Sequence, residues 1–252
     1  MYDWPEVQWA NDALWTAIAE RLRGQGIDAP RELDRERDRD AVWTDPGLVL
    51  SQTCAWPYIT RLREQVRLVG TPEYDAEGCA DGFYSSLLVT RREEAGEQVS
   101  AFRGRRFAMN SRDSLSGFVA LRSAMQAEGL GAENVHWVET GGHRESVLAV
   151  ASGRADLAAI DSVCWALAGR HETEEVARLR VINRTPLRPG LPLITSGISG
   201  DAEVNALRSA ISEALESEET LAARQALFLA GLGFIDEAEY AALAHLGESL
   251  RA

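Results

Sequence analysis

The sequence predicts an α/β fold with parallel-rich sheets flanked by helices, arranged as two lobes. Three observations predict it. Short apolar runs alternate with helix-periodic segments along much of the chain, the pattern of parallel strands covered by helices. A charged break at 91–97 and a proline-rich stretch at 185–192 flank one block of this alternation. At 252 residues with 45% hydrophobic composition, the chain can build one large domain or two smaller ones.

The elements follow in order. Ala10, Leu14, Ala17, Ile18 and Leu22 share a helical face, and Gly24 and Gly26 end that helix. The charge run at 31–40 reads as a solvated helix or loop. Leu48, Val49, Leu50 and Ser51 read as a short buried strand, followed by loop chemistry at 52–58. Strands are expected at 66–69 and 84–89. After the charged break come strand 106–109, helix 115–128, strand 134–138, helix 144–152, strand 156–160, helix 162–169 and strand 179–183. A short strand at 193–195 leads to a helical tail: Val204, Leu207, Ile211 and Leu215 form one face, and a further helix is expected at 218–230. The lobes expected are 1–91 with 190–252, and an inserted lobe at 92–189.

Composition excludes several classes of function. The net charge of −13 argues against a nucleic-acid partner, which needs a basic face. No apolar run approaches the roughly 18–20 residues of a membrane span. The start, Met1-Tyr2-Asp3-Trp4-Pro5, lacks the basic and apolar regions of a signal peptide as it stands. Four histidines and three cysteines without a CxxC spacing predict no metal site, and no cofactor is expected. Cys54 and Cys79 could pair in an oxidising compartment. The chain contains no lysine, which excludes Schiff-base catalysis.

Two turns carry the functional signal. A strand-like run, Phe107-Ala108-Met109, enters Asn110-Ser111-Arg112-Asp113-Ser114-Leu115-Ser116-Gly117, which opens a helix. Further on, Thr140-Gly141-Gly142-His143 opens another. A strand feeding a Ser/Gly turn that starts a helix aims N–H groups and hydroxyls at one spot, which suits an anion. The pair predicts an oxyanion clamp. Oriented donors can hold a small anion locally despite an acidic chain. Ligands in such sheets bind at the carboxyl ends of strands, here the turns at 51–58, 110–117, 139–143 and 161–162. Ser114 and Ser116 could instead be helix caps, His143 a polar cap, and Tyr84 a core aromatic. Asp161 could edge the site or cap the next helix. A triad of Cys54, His143 and Asp161 is the arrangement an enzyme would need, and nothing in the pattern assembles it.

The order of motifs resembles a known family. A Gln-Thr-Cys-x-x-Pro-Tyr loop at 52–58 and a Tyr-x-Ser strand at 84–86 precede Asp-Ser-x-Ser-Gly at 113–117 and Gly-x-His at 141–143. Gly-x-Ala-Asp-hydrophobic-Ala at 153–158 and Thr-Pro-Leu-x-Pro-Gly-x-Pro at 185–192 complete it. Together they resemble the phosphate, phosphite and phosphonate substrate-binding proteins of ABC transporters, with a type-2 periplasmic-binding-protein fold. The resemblance implies a solute-binding protein, not an enzyme, that captures a small phosphorus oxyanion in an interlobe cleft and delivers it to an ABC permease. It implies Ser114 and Ser116 as hydroxyl donors, the amides from Leu115 to Gly117 as the cradle, and His143 as a further donor. It also implies that Tyr84, from the other lobe, closes over the ligand, and Thr53 and Asp161 complete the expected ligand set. Leu115 stands where the family's turn carries threonine. Val163 and Leu191 stand where amine-binding members carry carboxylates, so the resemblance implies a ligand without an amine. The compartment implied is the periplasm if a leader precedes this chain, and the cytoplasm otherwise. The alternatives are a cytoplasmic binding or sensor module of the same fold and, further off, an enzyme on this scaffold.

Overall fold

The computed structural model describes residues 2–249. In chain order the helices are α1 (Gln8–Gly24), α2 (Arg39–Trp43), α3 (Ala55–Pro57), α4 (Ala120–Ala127), α5 (His143–Ala151), α6 (Ser162–His171), α7 (Thr173–Ala177), α8 (Asp201–Glu216), α9 (Leu221–Ala226), α10 (Glu237–Ala241) and α11 (Ala244–Ser249). The strands are β1 (Ser51–Gln52), β2 (Val66–Tyr74), β3 (Cys79–Ala80), β4 (Phe83–Tyr84), β5 (Ser86–Arg91), β6 (Arg106–Met109), β7 (His136–Glu139), β8 (Leu157–Asp161), β9 (Leu179–Arg184), β10 (Arg188–Pro189), β11 (Leu193–Ser196) and β12 (Leu229–Gly233).

The chain forms two compact units. Unit 1 comprises the chain up to Asp75, Ala80–Gly82 and Pro189–Ala241; unit 2 comprises Ala76–Cys79, Phe83–Arg188 and the described residues from Ala242. The residues at 83–91, expected with the first lobe, lie in unit 2 because β5 is an interior strand of that unit's sheet, between β8 and β9.

In unit 1 a four-stranded sheet runs β1-β11-β2-β12, and its pairs are antiparallel. The apolar face of α1 packs against α8 and α9. All five periodic residues of α1, from Ala10 to Leu22, are buried, as are Val204, Leu207, Ile211 and Leu215 of α8. The strand expected at 48–51 is shorter and later, at Ser51–Gln52. The loop expected at 52–58 contains α3, which continues as a wide helical turn over Tyr58–Leu62. The helix expected at 218–230 ends at Ala226. Phe228 takes a left-handed turn at φ 57°, and the chain then pairs with the end of β2. Pairing satisfies backbone groups that β2 would otherwise leave open, which outweighs local helix preference.

In unit 2 a five-stranded sheet runs β7-β6-β8-β5-β9. Strands β6, β7 and β8 are parallel neighbours, and β5 is antiparallel to both β8 and β9. α4 covers one face through Leu121 and Met125, which join Leu88, Phe107, Leu157 and Leu130 in a buried cluster. Trp137 closes edge-on against Phe107, with ring centroids 6.1 Å apart. Next to this core, the buried Asp156 carboxylate accepts hydrogen bonds from Arg91 at 2.8 Å and from Arg106 Nε at 3.1 Å. Burial works against its ionisation, but these bonds win and hold the carboxyl at about 2.

Candidate functional site

The site is built at the carboxyl ends of β6, β8 and β7, three adjacent parallel strands of unit 2. Each strand hands over to a helical segment. β6 leads to a wide turn over Leu115–Val119 that continues as α4, β7 leads to α5, and β8 leads directly into α6. Helical segments that start side by side present free N–H groups and the positive ends of their dipoles on one edge of the sheet.

Ser114 has extended backbone geometry, and its Oγ accepts the Gly117 N–H at 3.0 Å, which makes it the cap of the turn. Ser116 is not a cap. Its Oγ lies 2.7 Å from His143 Nε2 and 3.5 Å from Ser114 Oγ. Both serines are 5% exposed, so their hydroxyls are almost fully removed from bulk water. Gly117 has a steric reason: a Cβ there would stand 1.9 Å from Asn110 Oδ1.

The second turn is tied to the first through backbone. Thr140 N–H donates to Met109 O and Gly141 N–H to Asn110 O, each at 2.9 Å. Gly141 adopts φ 88°, a left-handed conformation that favours glycine. Thr140 Oγ1 and Ser146 Oγ pair at 2.7 Å and fix the start of α5. His143, the first residue of α5, is half-buried, and its Nδ1 is shielded from solvent. Burial pushes its pKa down to about 4, so the ring is neutral at pH 7; the Ala159 carbonyl acts in the other direction.

Asp161 ends β8 and caps α6. Its Oδ1 accepts from Val163 N at 2.8 Å and from Cys164 N at 3.1 Å. Ser162 donates to Ser85 O at 2.7 Å and lies 3.2 Å from Ser85 Oγ. Both hydroxyls press on Gly78, where a Cβ would meet Ser162 Oγ at 2.5 Å. Tyr84, also in unit 2, is 4% exposed. Thr53 and Leu191 belong to unit 1 and are buried. Val163 is fully buried in unit 2.

Of the expected site residues, Ser114, Leu115, Ser116, Gly117 and His143 come together in unit 2. Asp161 stands at the end of the neighbouring parallel strand β8. The reading of His143 and Asp161 as partners of a Cys54 nucleophile finds no support in their bonds, since Nε2 faces Ser116 and the carboxylate caps α6. Cys54, Cys79 and Cys164 form no disulfide, so the Cys54–Cys79 pair considered from the sequence is not made. Burial and the Asp161 charge push the Cys79 thiol up to about 12. No cluster of metal-ligating side chains and no helix long and apolar enough to cross a membrane occurs among the described residues. Sequence reasoning passed over Asn110, whose buried Oδ1 has no hydrogen-bond partner among the described residues. Its place directly after the last residue of β6 was the available signal.

Residues 50–240 match the family model described as ABC transporter, phosphonate, periplasmic substrate-binding protein. No curated protein sequence matches the chain. Among solved structures, PhnD1 from Prochlorococcus marinus (MIT 9301) in complex with methylphosphonate superposes with a TM-score of 0.79 at 15% identity, covering 97% of this chain and 94% of that one. XAC2383 from Xanthomonas citri bound to chloride ion gives 0.75 at 16% identity, covering 100% and 95%. A binding protein component of an ABC phosphonate transporter from Pseudomonas aeruginosa gives 0.73 at 15% identity, covering 96% and 82%. At these identities the likeness is one of fold.

Proposed function

Since the chain belongs to the ABC-transporter phosphonate periplasmic substrate-binding protein family, we propose that it captures a small phosphorus oxyanion or an amine-free phosphonate and delivers it to an ABC permease. One observation carries the ligand reading: the Ser116–His143 hydrogen bond at the ends of parallel strands, beside the capped turn that opens α4. The pair sets a hydroxyl and an imidazole nitrogen side by side at the edge of the turn, where a ligand oxygen could accept from one of them. The amides of the turn add further donors. A hydrogen bond to a charged oxygen is worth about 1.5–3 kcal/mol, so a few of these suffice for tight capture without chemistry. Val163 and Leu191, where amine-binding members of the family carry carboxylates, are buried apolar side chains. The reading therefore supplies no counter-ion for a ligand ammonium from these positions, and stranding one would cost several kcal/mol.

Thermal-shift and calorimetric titration with phosphate, phosphite, methylphosphonate, sulfate and aminoethylphosphonate tests the proposal. The true ligand at 100 times its Kd should add about 2.7 kcal/mol of stability. Absence of binding to any phosphorus oxyanion refutes the ligand class, and preference for aminoethylphosphonate over methylphosphonate refutes the amine-free reading.

A further inference from the structure

Unit 2 contains a cavity of about 430 Å³ that shares a wall with the anion turn. Leu115, between the two site serines, lines it, and α4 continues the wall through Ala120, Ser123 and Ala124. Pockets of about 300–1,000 Å³ are those that take drug-sized molecules.

Three charged side chains line the cavity: Glu128, Arg184 and Arg188. Glu128 accepts the Ser100 N–H at 2.7 Å. Arg184 is paired with Glu77. Arg188 is partly buried and has no ion-pair partner among the described residues. A guanidinium stays charged at any ordinary pH, so an anionic group entering the cavity would meet a counter-ion there. Ser123 Oγ, in the same wall, is shielded from solvent and has no hydrogen-bond partner among the described residues. The wall thus combines a largely apolar lining with one cation, Arg188, that has no ion-pair partner among the described residues.

We propose that this cavity receives the organic tail of a phosphonate whose far end carries a carboxylate, with Arg188 as its counter-ion. This inference rests on the phosphonate-binding reading above and narrows its ligand class. A carboxylate matches the two-pronged geometry of a guanidinium.

The test is calorimetry on the full chain with methylphosphonate, propylphosphonate, 3-phosphonopropionate and 3-aminopropylphosphonate. It is run on the wild type, Arg188→Gln and Arg188→Lys, with melting curves to establish that each variant is folded. In the wild type, 3-phosphonopropionate should bind at least about tenfold more tightly than propylphosphonate. That ratio should fall to about one in Arg188→Gln and be partly restored in Arg188→Lys. Equal affinities in the wild type, an unchanged ratio in Arg188→Gln, or tightest binding of the amine would overturn the inference while leaving phosphonate capture intact. Binding of methylphosphonate with rejection of every tailed ligand would do the same. Failure of all four ligands would remove the phosphonate reading itself, and this inference with it. The wild-type series alone decides the matter if the Arg188 variants do not fold.

Discussion

Ser116 Oγ lies 2.7 Å from His143 Nε2, so one hydrogen bond joins the turn that opens α4 to the first residue of α5. Ser114, two residues away, spends its hydroxyl on the backbone of its own turn. The two serines therefore do different work, and substitution should separate them.

Ser116→Ala removes a hydroxyl proposed to face a charged ligand oxygen. Affinity for the true ligand should fall about 10- to 150-fold, the equivalent of one charge-assisted hydrogen bond. The protein should stay folded. Calorimetry that finds unchanged affinity would assign Ser116 to holding His143 and nothing more.

Ser114→Ala removes a cap. Stability should drop by about 1 kcal/mol, seen as a lower midpoint in urea with an unchanged slope. A change well below this value would mean that the turn closes without its side-chain acceptor.

His143 should make the protein acid-sensitive in a defined window. Burial lowers its folded-state pKa to about 4, against about 6.5 in an unfolded chain. Between those values the unfolded state binds the extra proton, so stability falls as pH drops from about 6.5 to about 4 and levels off below. Denaturation midpoints across this range, for wild type and His143→Gln, should show that component of the slope only in the wild type. Identical slopes would place the imidazole in a more solvated state than its shielded Nδ1 implies.

Asp156→Asn should be more damaging. Breaking a buried ion pair costs about 3–5 kcal/mol, and the low end applies because Arg91 keeps Glu94. The Asp156 carboxyl is held at about 2 in the folded protein and titrates near 3.9 when unfolded. Its contribution is thus fully present above about pH 4 and is lost as pH falls through about 2. A urea series at pH 7 showing less than about 1 kcal/mol of loss would reduce the cluster to the worth of a surface pair.

Much was legible in the chain. The strand at 106–109 and the apolar faces of α1 and α8 match the residues expected, because a buried face imposes its period on the sequence. The Ser/Gly and Gly-His turns were readable as the openings of helical segments, since only a few residue types suit a helix start with close backbone approach. β12 was not legible. Its Leu229–Gly233 segment carries no strand alternation that separates it from the preceding helix, and pairing with β2 makes the decision.

By itself, the sequence determined the helical faces of α1 and α8, the strand β6 and the turns that carry donors, all properties set within a few residues of chain. Only the tertiary structure decided that β5 stands between β8 and β9, that Asp161 caps α6, and that Ser116 rather than Ser114 meets His143. Those outcomes depend on sheet order and on contacts between residues far apart in the chain. One is the 65-residue separation of Arg91 and Asp156. Such contacts form when burial and backbone pairing across the whole unit offset the entropy of closing the loops between them, a balance that no local pattern encodes.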